Sequence, residues 1–211
     1  MGRAKSISFR LLVKMDKFTF QFSLLLCFLL FSPCQSNAAP ISKPNNNNNA
    51  TALLNKACSR ASDKPFCMNY LKSNPKVMAA TTSKPLDFAL AIIQSGADQA
   101  KITHAYFSKP KGTKLSPQAI KAYNHCKNHW SELASGLERS VKNITDQQGY
   151  AYDTTDYDLK VNLDKAANCG RALESVRIYD PVFAEANKKV SLAVMGADAI
   201  LVDVKPPKKL D

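Results

Sequence analysis

The sequence predicts an all-α protein: an antiparallel up-down-up-down four-helix bundle preceded by a short disulfide-linked helical hairpin. Three observations carry that expectation. Between Pro117 and Lys142 the residues Ala119, Tyr123, Cys126, Trp130, Leu133 and Leu137 recur at alternating steps of four and three, which stacks them on one face of a 3.6-residue helix. Three further segments repeat the rhythm and are joined by short connections, which favour antiparallel neighbours. One of them, Asp156 to Ile178, carries Cys169 at a depth matching Cys126, so a covalent cross-link between two helices is expected.

The chain opens with Arg3, Lys5, Arg10, Lys14 and Lys17, then the apolar run Phe18 to Phe31, then Ser36-Asn37-Ala38. A basic start, a short apolar core and small residues at the cut read as a secretory signal peptide over residues 1–38. The apolar run is shorter than the roughly 20 residues of a membrane span, so no membrane association is expected after cleavage. Cleavage after Ala38 takes Cys27 and Cys34 with it and leaves Cys58, Cys67, Cys126 and Cys169. In an oxidising compartment four cysteines make two disulfides, with three pairings open.

Residues 39–50, with the tract Asn45 to Asn49, read as a disordered linker. Asn49-Ala50-Thr51 and Asn143-Ile144-Thr145 are glycosylation acceptors placed in loops or at helix ends. Thr51 to Arg60 and Pro65 to Ser73 are two short helical pieces of a hairpin over residues 51–82. A bridge between Cys58 and Cys67 would staple them, which suits helices too short to be stable alone.

The bundle occupies residues 83–204. Pro85 opens its first helix, with the stripe Leu86, Leu90, Ile93, Ala97, Ala100, His104 and Phe107, and Pro110-Lys111-Gly112 ends it. Ser116-Pro117 is an N-cap and N1 pair for the second. Asn143 to Thr155 is a connection. The third helix shows Leu159, Leu163, Ala166, Leu173 and Val176 beside Cys169; the fourth, capped by Asp180-Pro181, shows Phe183, Ala186, Val190, Ala193, Ala197 and Ile200. Helices of this length span roughly 30 to 39 Å. Residues 205–211, with two prolines, are a tail.

Once residues 1–38 are removed, 24 Lys and Arg stand against 16 Asp and Glu, a net charge of +8 over 173 residues, enough for one domain with its own core. The charges are scattered and no basic stripe is interleaved with aromatics, which argues against nucleic acid. Weak binding to an acidic polysaccharide is compatible with the charge.

Little in the chain suggests catalysis. His125 and His129 have the i, i+4 spacing of a zinc helix, but Cys126 stands where the general base would be and no third ligand follows, so no metal is expected. His104 lies on an apolar stripe and reads as a core or boundary histidine. Asp153, Asp156, Asp158 and Asp164 contain a fragment of a calcium loop without its glycine and terminal glutamate, and acids gather at helix N-termini for electrostatic reasons alone. There is no nucleophile elbow and no phosphate-cradling glycine loop. The chain is not expected to be an enzyme or to hold a cofactor; its surface should carry its function.

The order of a signal peptide, a hairpin with the pair Cys58 and Cys67, and a bundle with one Cys in its second and one in its third helix resembles the plant invertase and pectin methylesterase inhibitor family. Ala122-Tyr123-Asn124-His125-Cys126 with Trp130, Asp156-Tyr157-Asp158 leading to Ala166-Ala167-Asn168-Cys169, and Ala199-Ile200-Leu201 carry the likeness over essentially the whole mature chain. The resemblance implies the pairs Cys58 with Cys67 and Cys126 with Cys169. It makes residues 51–204 an inhibitor domain, secreted to the apoplast, that blocks pectin methylesterase or acid invertase by laying bundle helices across the enzyme's cleft. The contact region it implies is the outer face of the cross-linked helices, where Trp130, Glu132, Asn162 and Asn168 sit. Because Trp130 shares the stripe of Tyr123, Cys126 and Leu133, burial is the better reading for it, and Asn128, Ser131, Glu132, Asn162 and Asn168 are the interface candidates.

Residues 148–155 lack the Pro-Lys-Phe triplet common among invertase inhibitors, which favours pectin methylesterase as target. Arg171 and Asn168 depart from the acidic residue and the Thr usual in inhibitors of that enzyme. The competing reading is a basic wall protein that sits on demethylated pectin without inhibiting anything.

Overall fold

The computed structural model describes residues 46–110, 115–147 and 152–204, all of the regular structure there being helical. The segments read as a signal peptide and a tail, and most of that read as a linker, lie outside the described residues. Among the described residues seven helices follow in order: α1 (Asn46–Ala57), α2 (Lys64–Lys72), α3 (Pro75–Ala80), α4 (Pro85–Ser108), α5 (Pro117–Asp146), α6 (Tyr152–Ser175) and α7 (Pro181–Leu201).

Local chemistry sets most of the helix starts. In α2, α3, α5 and α7 a short polar side chain precedes a proline in the first turn, where the missing N–H costs nothing. Asp63 accepts a hydrogen bond from the Phe66 amide at 3.0 Å, Asn74 from the Lys76 amide at 3.0 Å, Ser116 from the Ala119 amide at 3.1 Å, and Asp180 from the Phe183 amide at 3.0 Å. The end of α6 is closed differently. Ile178 N–H donates to the Leu173 carbonyl and Arg177 N–H to that of Glu174, with Arg177 in the left-handed region at φ 58°. That is a Schellman closure in which a non-glycine residue takes the position glycine usually fills.

The long helices pack in sequence, α4 on α5, α5 on α6 and α4 on α7. Contacts across each pair climb one helix while descending the other. Phe107 meets Tyr123 and Lys101 pairs with Glu138 between α4 and α5. Cys126 is bonded to Cys169 and Glu132 pairs with Lys165 between α5 and α6. Between α4 and α7, Gly96 lies against Ala193, and Tyr106 reaches Asp180. Consecutive long helices therefore run antiparallel. Gly96 is a close-approach glycine: a Cβ there would stand 3.0 Å from that of Ala193.

The hairpin of α1 and α2, closed by Cys58–Cys67, docks on α7. Leu54, Cys58, Cys67 and Leu71 face the common core. Arg60 holds the buried Asp198 at 2.6 Å, Lys188 holds Asp63 at 2.8 Å while lying over the Phe66 ring, and Lys56 pairs with Asp203.

Several boundaries differ from the sequence reading. Helix α1 begins at Asn46, so part of the tract read as linker is helical. Asparagine is a weak helix former, but the packing of Leu53, Leu54 and Ala57 anchors the helix beyond it. The hairpin holds an additional helix, α3, started by Asn74-Pro75 and anchored by the fully buried Val77. Helix α5 runs four residues past Lys142 because its buried face continues through Ser140 to Ile144. Helix α6 starts at Tyr152, before Asp156, and stops at Ser175. The buried face of α4 centres on Phe88, Ile92, Gly96, Ala100 and Phe107, so Leu86, Leu90 and His104 lie at its margin.

Asp180 ties three helices together. Besides capping α7 it accepts hydrogen bonds from the hydroxyls of Tyr106 at 2.9 Å and Tyr123 at 3.4 Å. Burial, then the Asp180 carboxylate, pushes the Tyr106 hydroxyl up to about 12 and raises that of Tyr123. The folded state thus favours protonated tyrosine. Stability from this contact is whole below about pH 10, the value of an unfolded tyrosine, and is lost as pH rises toward about 12. Urea melts between pH 8 and 12 should show that loss, and Tyr106→Phe should reduce it.

Candidate functional site

The face shared by α5 and α6 brings several of the candidate residues together. Along α5, Asn128, Glu132, Ser135 and Arg139 fall at steps of four, three and four, one helical face. Across from them α6 offers Asn162 and Lys165. Ser131, Glu132, Ser135, Arg139, Asn162 and Lys165 line an open groove of about 400 Å³.

Glu132 is its electrostatic centre. Its carboxylate lies 2.8 Å from Lys165 Nζ and 3.7 Å from His129 Nδ1, and is about half exposed. The Lys165 ammonium holds the Glu132 carboxyl below the usual carboxylate range, so the groove carries a paired charge at the pH of ordinary aqueous media. The floor beside it is set by a glycine. Gly136 has no side chain where a Cβ would collide with the Asn162 amide, so Asn162 can lie across α5 at this point.

Of the five interface candidates, Ser131, Glu132 and Asn162 share the groove. Asn128 is exposed one turn before Glu132, and Asn168 is half-buried and hydrogen-bonded by Arg171. Ser135, Arg139 and Lys165 were not singled out from sequence. The helical spacing from Glu132 would have found the first two; Lys165 needed the pairing of α5 with α6.

Trp130 points away from this face. It is fully buried and meets the edge of Phe183 at 6.2 Å. The disulfide Cys126–Cys169 joins the same two helices in the core, with both cysteines at 0% exposure.

Asn143 is exposed in the last turn of α5, a helix end as expected, whereas Asn49 is exposed within α1 and not in a loop. Asp158 and Asp164 are exposed on α6; the side chains of Asp153 and Asp156 lie outside the described residues. Among the described residues, no three His, Cys, Asp or Glu side chains converge on a metal position, and no helix is long and apolar enough to cross a membrane.

Comparison with known proteins adds the following. The family described as plant invertase/pectin methylesterase inhibitor matches residues 52–194. The protein called Pectinesterase inhibitor 2 of Arabidopsis thaliana is 27% identical over 104 residues, which are 48% of this chain and 57% of that protein, so the match spans little more than half of the relative. Two solved structures share the fold. A mutant form of a pectin methylesterase inhibitor from Arabidopsis superposes with a TM-score of 0.59 at 17% identity, over 71% of this chain and 95% of that one. A pectin methylesterase inhibitor from Arabidopsis thaliana superposes with a TM-score of 0.53 at 15% identity, over 78% and 100%. A family match covering most of the helical region, on a bundle with a cross-linked second and third long helix, means that this chain belongs to the plant invertase/pectin methylesterase inhibitor family.

Proposed function

We propose that this chain is a secreted, stoichiometric inhibitor of pectin methylesterase, in which an antiparallel up-down-up-down four-helix bundle presents the α5–α6 face to the enzyme's cleft. The observation that carries the reading is the groove of Ser131, Glu132 and Asn162 on the two cross-linked helices of a chain from an inhibitor family. A rigid, disulfide-backed face suits a plug, because little conformational freedom is lost when it docks.

In this reading residues 1–38 direct export to the apoplast and are cut off, Asn49 and Asn143 are open to glycosylation, and Asn128 and Asn168 extend the contact beyond the groove. The net charge of +8 adds a weak, salt-sensitive attraction to acidic pectin, screened within roughly 10 Å at 0.1 M salt.

Titration of purified protein against pectin methylesterase and, separately, acid invertase tests the proposal. Inhibition of the first is expected, saturating at one inhibitor per enzyme and persisting at 0.3 M salt. Inhibition of invertase alone would reassign the target. Retention on demethylated pectin without effect on either enzyme would replace the inhibitor reading by the polysaccharide one.

Glu132→Arg is expected to weaken inhibition at least tenfold while moving the melting temperature by no more than about 2 °C, since an exposed charge contributes about 0.5 kcal/mol or less. If that variant, and bulky replacements of Asn162 and Asn168, all inhibited like the parent, the docking face would lie elsewhere.

A further inference from the structure

We propose that His125 and His129 form a two-nitrogen site for a divalent transition-metal ion of the copper or nickel type on the outer face of α5. The spacing alone is weak evidence, and the sequence offered no third ligand. The structure adds two independent observations about how the rings are set.

The first is the separation of the donor atoms. The two Nε2 atoms stand 2.9 Å apart, the rings meeting edge to face with centroids at 4.2 Å. Imidazole nitrogens bind such metals at about 2.0–2.1 Å. Two of them at right angles around one ion stand about 2.9 Å apart, whereas a tetrahedral angle would need about 3.4 Å. The pair therefore has the bite of two neighbouring positions in a tetragonal or square-planar shell, the geometry that marks Cu(II) and Ni(II).

The second is what faces the other side of His129. Its Nδ1 is buried with no hydrogen-bond partner, and the Glu132 carboxylate faces it at 3.7 Å, a through-space attraction that favours hydrogen on Nδ1 and leaves the Nε2 lone pair toward His125. A negative charge on the far side of a ligating imidazole raises the basicity of the ring, and here it acts through space, without the hydrogen bond that would also orient it.

His125 is exposed, so its ring can turn to present Nε2 while its Nδ1 faces water. Without metal, one Nε2 donates to the other and the pair is a simple hydrogen bond. With metal, the hydrogen on His125 Nε2 is exchanged through water for one on its exposed Nδ1, so that both Nε2 lone pairs face an ion lying to one side of the line that joins them. Among the described residues no third protein ligand converges, so water fills the remaining positions and the site is open to solvent.

The test uses the mature, secreted protein, with copper sulfate and nickel chloride as separate probes. One Cu(II) per chain is expected by calorimetric titration, with nitrogen splitting from two imidazoles in the electron paramagnetic resonance spectrum. His125→Gln and His129→Gln should each weaken binding at least tenfold, and His104→Gln, which alters the remaining histidine on α4, should leave it unchanged. Glu132→Gln should weaken it less than either histidine replacement does, since the Glu132 charge acts on His129 only through space. Circular dichroism of each variant checks that α5 is intact. Copper binding of equal strength in the two histidine variants, or a spectrum with a single nitrogen, would overturn the proposal. None of these readouts depends on the target enzyme.

Discussion

Trp130→Ala is expected to lower the free energy of unfolding by about 3–5 kcal/mol, the usual cost of emptying a large aromatic site in a core. Trp130 heads the fully buried side chains by volume, sits on the stripe that faces the other long helices, and packs edge to face on Phe183 of α7. Its removal from α5, a helix whose position relative to α6 is held by the Cys126–Cys169 disulfide, opens a void against Phe183, and that bridge limits collapse around it. For a chain of this size each kcal/mol moves the midpoint by about 2–4 °C, so the melting temperature should fall by on the order of 10 °C. Trp130→Phe keeps most of the apolar volume and should cost less than half as much. Thermal melts followed by far-ultraviolet circular dichroism give both numbers. A Trp130→Ala protein that melted within 2 °C of the parent yet lost inhibition would make Trp130 a contact residue, contrary to its burial.

Removing the two disulfides separately should give unequal effects. Cys126 and Cys169 are 43 residues apart, Cys58 and Cys67 only 9. On the chain-entropy account the longer loop constrains the unfolded chain by about 4 kcal/mol and the shorter by roughly 2 to 3 kcal/mol. Paired replacement by alanine of Cys126 and Cys169 should therefore lower the melting temperature by roughly 8–16 °C, and more than replacement of Cys58 and Cys67. The reverse order would mean that the hairpin's docking on α7, and not loop length, sets the importance of a bridge here.

The all-helical class was legible because its evidence is local and periodic. The stripes through Tyr123, Cys126 and Trp130, through Ala166 and Cys169, and through Val190 and Ala193 each lie along a buried helix face. Capping chemistry at Ser116-Pro117 and Asp180-Pro181 marked two starts to the residue. What failed was equally physical. The asparagine tract has the composition of a spacer, and only the docking of Leu53 and Leu54 extends a helix into it. The Asn143-Ile144-Thr145 tripeptide drew attention to an acceptor, although Ile144 was the next member of the α5 stripe. On α4, Leu86, Leu90 and His104 gave a plausible stripe, yet the small residue Gly96 marks where α7 approaches.

The site was less legible than the fold. Glu132 and Asn162 are 30 residues apart in sequence and meet only because α6 folds back along α5. Lys165, which fixes the charge state of Glu132, could not be assigned without that register. The absence of a side chain at Gly136, which admits Asn162, has no signature in a single sequence, since a helical glycine reads simply as a weak helix former.

The docking of α1 and α2 on α7 bears on the order in which the protein is made. Lys56 finds Asp203 and Arg60 finds Asp198 across sequence separations of 147 and 138 residues, so these contacts close nearly the longest loop the fold contains. Made before α7, the hairpin helices must wait for it before their apolar sides, Leu54 and Leu71 among them, are covered. During that interval the nine-residue bridge of Cys58 and Cys67 is the one cross-link the nascent hairpin can make within itself, and it keeps the waiting segment in the shape that α7 will meet.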